Sequence, residues 1–334
     1  MPKTALLIDA DLLIFRSCAV AETRTVEVLH KSSGRTKVFN TRTEFKDFLK
    51  AKGMEYKPES YEFTDIQTPE PLANALHTIK IQLEKWKSRF NPSVTKVLIG
   101  GKDNFRESLP LPKKYKGNRK DMLIPIHRED AKKYLIERHK AEVVDGCETD
   151  DALIYYGYEY LKQGYDVVIS SVDKDALAYS GLKVYDFRDD TNEPVLISDF
   201  GHLEVIEKDK AKTVKGVGFL WYCQQMLTGD GTDNYRPFEV KGVKFGEVSA
   251  YKLLKDTKNH KEALEAVIQQ YKTVYPEPFT FVDWTGKEQT FDYLDFLKIY
   301  HKCVRMKETK DDDLDFVKFC QRYGVNPWRK NFMT

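Results

Sequence analysis

DVVISSVDKD, residues 166–175, is an unbroken apolar run that stops on two aspartates one residue apart. Without polar alternation, a run this short reads as a strand buried on both faces. ALLI (5–8) and KVLIG (96–100) have the same character. Helical patterns lie between them. EPLANALHTIKIQLEKWKSRF (70–90) carries apolar residues at helical spacing until Asn91-Pro92 ends it, and DDALIYYGYEYLKQG (150–164) closes at Gly164. Strands alternating with helices predict an α/β fold, a mostly parallel central sheet flanked by helices. TRTVEVLHKSSGRTKVFNT (23–41) instead alternates with period two around Ser-Ser-Gly, which predicts a hairpin inserted after the first strand. From about Gly201 onward the strand signal fades. HLEVIEKDKAKTV, GFLWYCQQML, EVSAYKLLK, HKEALEAVIQQYKTVY and DDDLDFVKFCQRYG read mostly as helix. The expected organisation is an α/β region over 1–200 and a mainly helical region over 201–334.

The 334 residues are 41% hydrophobic and 13% aromatic, the composition of a folded globular chain. No apolar run is long enough to cross a bilayer, and the first residues lack a signal-peptide pattern, so a cytoplasmic protein without membrane contact is expected. Cys18, Cys147, Cys223, Cys303 and Cys320 are scattered and form no C-x-x-C pair, which argues against a disulfide framework or structural zinc. The net charge of +2 says little about partners, so local charge has to be read instead.

Ligands of open parallel sheets bind beyond the carboxyl ends of the strands. There ALLI runs into Asp9, with Asp11 two positions on, and DVVISS into Asp173 and Asp175. Glu148, Asp150 and Asp151 open the helix that follows GC, and Asp230 and Asp233 lie in the glycine-rich turn GDGTDNYRP (229–237). Helix capping would account for the acids at 148–151, and ordinary turn formation for those at 230–233. Taken together the acids lack arginines nearby in sequence, and an all-oxygen set of this kind points to Mg²⁺, with Mn²⁺ as a substitute. Two such ions are the arrangement used for phosphodiester hydrolysis.

The basic counterpart follows the second strand. From Lys113 to Lys140 ten Lys or Arg stand against four Asp or Glu, a net of +6, with Phe105, Tyr115 and Tyr134 interleaved. Cations beside aromatics suit single-stranded nucleic acid, and Lys113, Lys114 and Lys120 are candidate DNA contacts.

IDADLLIFR (8–16), KKYKGNRK (113–120), GCETDDALIYY (146–156), ISSVDKDALAY (169–179) and TGDGTDNYRP (228–237), in this order, resemble the 5′-nuclease family of flap endonucleases and 5′→3′ exonucleases, and its phage-type members most. The resemblance spans roughly residues 5–250. It implies a PIN-like core, a helical arch over about 105–140, and a helix–hairpin–helix-like turn over about 229–254. Asp9, Glu148, Asp150 and Asp151 would hold one metal ion; Asp173, Asp175 and Asp230, with Asp233 close by, would hold the second. Lys116 and Arg119 would grip the scissile phosphate, Tyr115 would stack on a displaced base, and Asp11 would support. Lys241, Gly242, Lys244 and Gly246 would meet duplex backbone, with a K⁺ ion at that turn. The implied substrate is DNA with a 5′ end or flap, or an RNA–DNA hybrid, and the implied setting is phage replication, recombination or primer removal in a bacterial cytoplasm, by a monomer alongside replication proteins.

Two positions depart from the family pattern. Gly101 stands where an acid is expected at the second strand end, with Asp103 as a substitute through a local shift, and VKGVKFGEVSA (240–250) lacks the tight G-x-G of the hairpin. The activity the resemblance implies is 5′→3′ exonuclease action on duplex DNA, and three rival readings stand beside it, the first within the class: flap endonuclease or RNase H-type primer removal, which the same site serves. LLIDADLL is similar to the D-x-D of haloacid dehalogenase-type phosphatases, which leaves E-x-D-D and YKGNR unexplained. A catalytically decayed DNA-binding accessory protein would account for Gly101.

Overall fold

The computed structural model describes residues 3–120, 122–208 and 211–328. The chain forms two compact units, one of Met1–Asp11, Phe90–Met122 and Ala141–Thr334, the other of Leu12–Arg89 and Leu123–Lys140.

The chain starts with β1 (Thr4–Asp9) and α1 (Ala10–Val20). Then comes a small sheet of β2 (Glu22–His30), β3 (Arg35–Phe39) and β4 (Tyr61–Pro69), with α2 (Arg42–Ala51) between β3 and β4. Its order is β3-β2-β4 and both pairings are antiparallel. The hairpin read over 23–41 is β2–β3, with His30 opposite Arg35. Val26, Val28, Phe39, Phe45, Leu49 and Tyr61 form this unit's own core. Phe45 packs edge-on against Phe39 and Tyr61, at ring separations of 5.3 and 4.8 Å. Burial of each such ring contributes about 1.5–3 kcal/mol.

After α3 (Leu72–Phe90) come β5 (Val94–Gly100), α4 (Arg128–His139), β6 (Glu142–Val144), α5 (Thr149–Lys162), β7 (Asp166–Ser170), β8 (Lys183–Tyr185) and β9 (Val195–Leu196). The main sheet runs β6-β5-β1-β7-β8-β9, parallel except for β9. The three apolar runs are therefore its central strands, with Leu7 paired to both Lys96 and Ile169. Because these strands run parallel, their carboxyl ends lie on the same edge of the sheet.

The expectation of an almost wholly helical region after Gly201 is corrected. HLEVIEK and AKTVKGV form an antiparallel hairpin, β10 (His202–Lys208) and β11 (Ala211–Val217). Along AKTVKGV, Val214 and Gly216 are buried and Thr213 and Lys215 exposed, the period of a strand. A second hairpin, β12 (Phe279–Val282) and β13 (Glu288–Phe291), turns at Asp283, whose carboxylate accepts the N–H groups of Thr285 and Lys287. The helices are α6 (Gly218–Thr228), α7 (Glu247–Leu254), α8 (His260–Val274), α9 (Tyr293–Val304) and α10 (Phe316–Arg322). Asp315, the last acid of DDDLD, caps α10 by accepting the N–H of Val317 and of Lys318. Among the described residues no helix is long and apolar enough to cross a membrane.

Candidate active site

The carboxyl ends of β1 and β7 deliver the first acids. Asp9 closes β1 and accepts a hydrogen bond from the Ser171 hydroxyl at 3.1 Å, and that same hydroxyl oxygen accepts the Asp173 N–H. Asp173 in turn accepts the Asp175 N–H at 2.8 Å, so the D-x-D is a closed turn just beyond the end of β7. Asp175 is buried and accepts from the Gln225 side chain on α6. Asp11 takes a supporting position, accepting the Gly100 N–H at 2.6 Å and the Thr149 hydroxyl at 2.7 Å, and so ties the end of β5 to the start of α5.

The three acids at the start of α5 have different fates. Glu148 is the N-cap and faces cations and donors: Lys116 Nζ at 2.5 Å, Asn104 Nδ2 at 2.9 Å and the Tyr115 hydroxyl at 3.2 Å. Asp150 lies within electrostatic reach of Asp173, Asp9, Glu148 and Lys116. Asp151 is turned inward and has no exposed surface. Its carboxylate takes a bidentate grip from Arg106 at 2.5 and 3.0 Å, and also accepts the N–H of Glu148 and of Lys307, each at 3.0 Å. These four contacts occupy both carboxylate oxygens and give Asp151 a structural role in the fold. Arg106, fully buried, spends a further N–H on the Arg305 carbonyl at 2.8 Å.

The turn 229–235 is stitched to the YKGNR loop. Asp230 and Tyr235 exchange backbone hydrogen bonds at 3.0 Å, and Gly229 sits at φ +67°, where a Cβ would lie 2.4 Å from the Tyr235 carbonyl. Asn118 donates to the Gly231 carbonyl, Asn234 to that of Lys114, and the Lys116 N–H to that of Asp233. Asp233 accepts from Tyr115 at 2.8 Å and from Arg119 at 2.6 Å. Asp230 pairs with Lys174 Nζ at 2.9 Å. Lys116 itself holds a left-handed backbone at φ +54°, a conformation that costs a non-glycine residue about 1 kcal/mol or more and concentrates where side chains must be aimed.

The charges divide the acids. Burial, then the negative charges of Asp173 and Asp9, push the Asp150 carboxyl well above the usual range. Burial and Asp173 do the same to Asp175. Asp233 is raised by burial against the pull of Lys116. Burial also acts to raise Asp230, but Lys174 outweighs it and holds that carboxyl low. Lys116 is driven up by Glu148 and Asp233 despite its own burial. The donors are all oxygens and repel one another, the chemistry a hard divalent cation fits. Among the described residues no three His, Cys, Asp or Glu side chains stand close enough together to grip an ion as they lie. Lys116 and Lys174 occupy positions among them.

Other expected contacts are placed as follows. Tyr115 is 2% exposed, stacked on Tyr235 with ring centres 6.0 Å apart. As it lies, the ring packs in the interior and presents no exposed face. Lys113 pairs with Glu239 at 2.6 Å, Lys114 lies 5.2 Å over the Trp284 ring, and Lys120 is exposed. Trp284 pins the same loop, donating its backbone N–H to Leu111 and its indole N–H to Leu109, each at 3.0 Å. Gly242 adopts φ +66° after the turn Glu239–Lys241, Gly246 opens α7, Lys241 lies over Phe279 and Lys244 is exposed. Gly242, Lys244 and Gly246 line a cleft of about 900 Å³ that Lys113, Asp230 and Lys174 also line. Asp103 is exposed at φ +62°. At Gly101 a Cβ would fall 2.0 Å from an Asp145 carboxylate oxygen, so Asp145, at the end of β6, fills that side-chain position. Arg106, Asn104, Gln225, Asp145 and Trp284 were missed because each meets its partner across a long stretch of sequence.

No protein-family model and no curated protein matches the chain. Solved structures do. A T5 5′-exonuclease mutant is 13% identical with a TM-score of 0.44, covering 90% of this chain and 86% of its own. The bacteriophage T5 D15 flap endonuclease, in a pseudo-enzyme-product complex with DNA and metal ions, is 16% identical with a TM-score of 0.46, covering 80% and 79%. T5 D15 protein co-crystallised with metal ions is 16% identical with a TM-score of 0.44, covering 90% and 88%. In fold, the chain is similar to these phage 5′ nucleases.

Proposed function

We propose that this protein is a divalent-metal-dependent 5′ nuclease that hydrolyses phosphodiester bonds of DNA from 5′ ends. The observation that carries the reading is the gathering of mutually repelling carboxylates at the ends of β1 and β7 and the start of α5, against two cations of the YKGNR loop. Asp9, Glu148 and Asp150 would hold one Mg²⁺ or Mn²⁺, and Asp173, Asp175 and Asp230 a second, with Asp233 beside them. When bound, the ions supply an activated water and neutralise charge on the phosphate. Lys116 and Arg119, held by Glu148 and Asp233, are positioned to pass to the scissile phosphate, where their donors stabilise the developing charge. Lys241, Gly242, Lys244 and Gly246 would contact duplex backbone, with a K⁺ site at that turn as a subsidiary element. The protein would act as a monomer on blunt or flapped DNA and on RNA–DNA hybrids, in phage replication, recombination or primer removal.

The test is cleavage of a blunt duplex, a 5′ flap and a single strand in Mg²⁺, with wild type beside Asp173→Asn. Products released from the 5′ end and lost in the variant support the reading, and the preferred substrate separates exonuclease from flap endonuclease. Binding without cleavage on every substrate would make the protein an accessory binder.

A further inference from the structure

The unit built on β2, β3 and β4 takes no part in the acid site, yet it carries a concentrated positive surface. Between Lys31 and Lys52, which comprise the hairpin turn, β3 and α2, seven Lys or Arg stand against two Asp or Glu, a net of +5. All seven cations are exposed. Two of them need no partner to be explained: β3 is an edge strand of the sheet, and Arg35 and Lys37 guard it against pairing with another chain. That explanation does not extend to α2.

On α2, Arg42, Lys46 and Lys50 recur every fourth residue along the face beside the buried pair Phe45 and Leu49. Like charges at this spacing destabilise a helix by about 0.2–0.5 kcal/mol per pair. Glu44 is spent on the helix start, where it accepts the Asn40 N–H at 2.7 Å. Arg42 has an exposed partner in Asp65, at 2.7 Å. Lys37 extends the stripe from β3, its ammonium 4.1 Å over the Phe48 ring of α2. Arg42 to Lys50 spans about 12 Å of helix, and one DNA strand presents a phosphate about every 3.4 Å along its axis. A regular line of cations at that reach matches a polyanion with regularly spaced charges.

We propose that the β3–α2 surface is a second DNA-backbone contact, separate from the acid site and blind to sequence. The inference rests on the nuclease reading for its substrate. Its role would be retention: a strand held at a second place stays at high local concentration between cleavage events.

The experiment measures binding of a labelled duplex by fluorescence anisotropy in Ca²⁺ across a salt series, using the full chain. Wild type is compared with Lys46→Glu/Lys50→Glu and with the milder Lys46→Gln/Lys50→Gln, whose fold is checked by circular dichroism. Removing two phosphate contacts should make the slope of log K against log salt shallower by about 1.8 and weaken binding near 0.1 M salt up to about 60-fold. Single-turnover cleavage at saturating protein should be unchanged. A slope and affinity equal to wild type in both double variants overturns the proposal alone, since wild type still binds and cuts. Failure of wild type to bind any DNA overturns the nuclease reading with it. Unaltered DNA binding with lost retention on polyglutamate would assign the surface to an acidic protein, which also overturns it.

Discussion

Asp151 distinguishes a structural carboxylate from a metal ligand, and Arg106 makes the difference measurable. Arg106→Met removes the guanidinium and leaves a fully buried carboxylate with only the Glu148 and Lys307 N–H groups. Breaking a buried ion pair from one side costs about 3–5 kcal/mol, most of it the desolvation of the charge left behind. The Arg305 carbonyl also loses its donor, about 1 kcal/mol more. At about 2–4 °C per kcal/mol, the combined loss should lower the melting temperature by roughly 8–24 °C. Asp151→Asn keeps the shape and the capping acceptor but removes the charge, so it should also destabilise, and the double variant Arg106→Met/Asp151→Asn should recover about 1–3 kcal/mol as coupling energy.

The assay pairs urea or thermal unfolding in EDTA with Mn²⁺ titration of the folded protein. Each variant is compared with Asp150→Asn, at a carboxylate that feels the charges of Asp173 and Asp9. The structural role predicts that Asp151→Asn loses stability and keeps Mn²⁺ affinity to within a few-fold, while Asp150→Asn does the reverse. An Asp151→Asn protein as stable as wild type but unable to bind Mn²⁺ would refute the reasoning and return Asp151 to the ligand set. So would an Arg106→Met protein that loses less than about 1 kcal/mol.

In EDTA, Asp150→Asn should stabilise the fold by about 1 kcal/mol, because it removes one charge from a mutually repelling set, and a lower urea midpoint would contradict that. Gly101→Ala should destabilise by about 1–3 kcal/mol, since the added Cβ meets the Asp145 carboxylate at 2.0 Å and the Val144 carbonyl at 2.7 Å. Trimming Asp145 to Ala in the same chain should recover only part of the loss, because the carbonyl remains, and full recovery would show that the backbone contact is harmless. His301 is 1% exposed and shares a hydrogen bond with the Tyr222 hydroxyl at 2.8 Å, and burial together with Arg305 holds its pKa well below the ordinary value. The folded protein therefore binds this proton less readily than the unfolded chain. Stability should be complete above about pH 6.5 and decline as the pH falls below it, the decline flattening in His301→Gln, as read by urea midpoints between pH 7.5 and 5.

What could be read from the sequence was whatever depends on near neighbours. The strands ALLI, KVLIG and DVVISS announced themselves because a strand buried on both faces needs an unbroken apolar run, and they are the three central strands of the sheet. Both acids of each D-x-D were legible as strand-end residues for the same reason. The later hairpins were not, because FTFV and EQTF are four residues each and compete with strong helical patterns on either side. HLEVIEK likewise mixes apolar and charged residues at spacings that serve either period.

The fate of E-T-D-D shows where local reading stops. Residues 148 and 151 are an N-cap and the third position of its helix, the spacing at which two side chains can each accept the other's backbone N–H. That pattern is visible in the sequence, and it argues for a structural acid at 151 before any ligand is considered. Position 150 lies about 100° around the helix from 151, so if 151 faces inward, 150 faces the strand ends. The local pattern leaves open which of the two is inward. A buried cation settles it, and that cation, Arg106, comes from a loop 45 positions earlier after β5, with its second bond on a carbonyl 199 positions later. The same arginine shows why counting acids against nearby arginines failed: the compensation of a buried charge is a property of the packed core, and its sequence separation carries no weight in the energy. An acid at the third position of a capped helix is a ligand only where no such long-range partner reaches it.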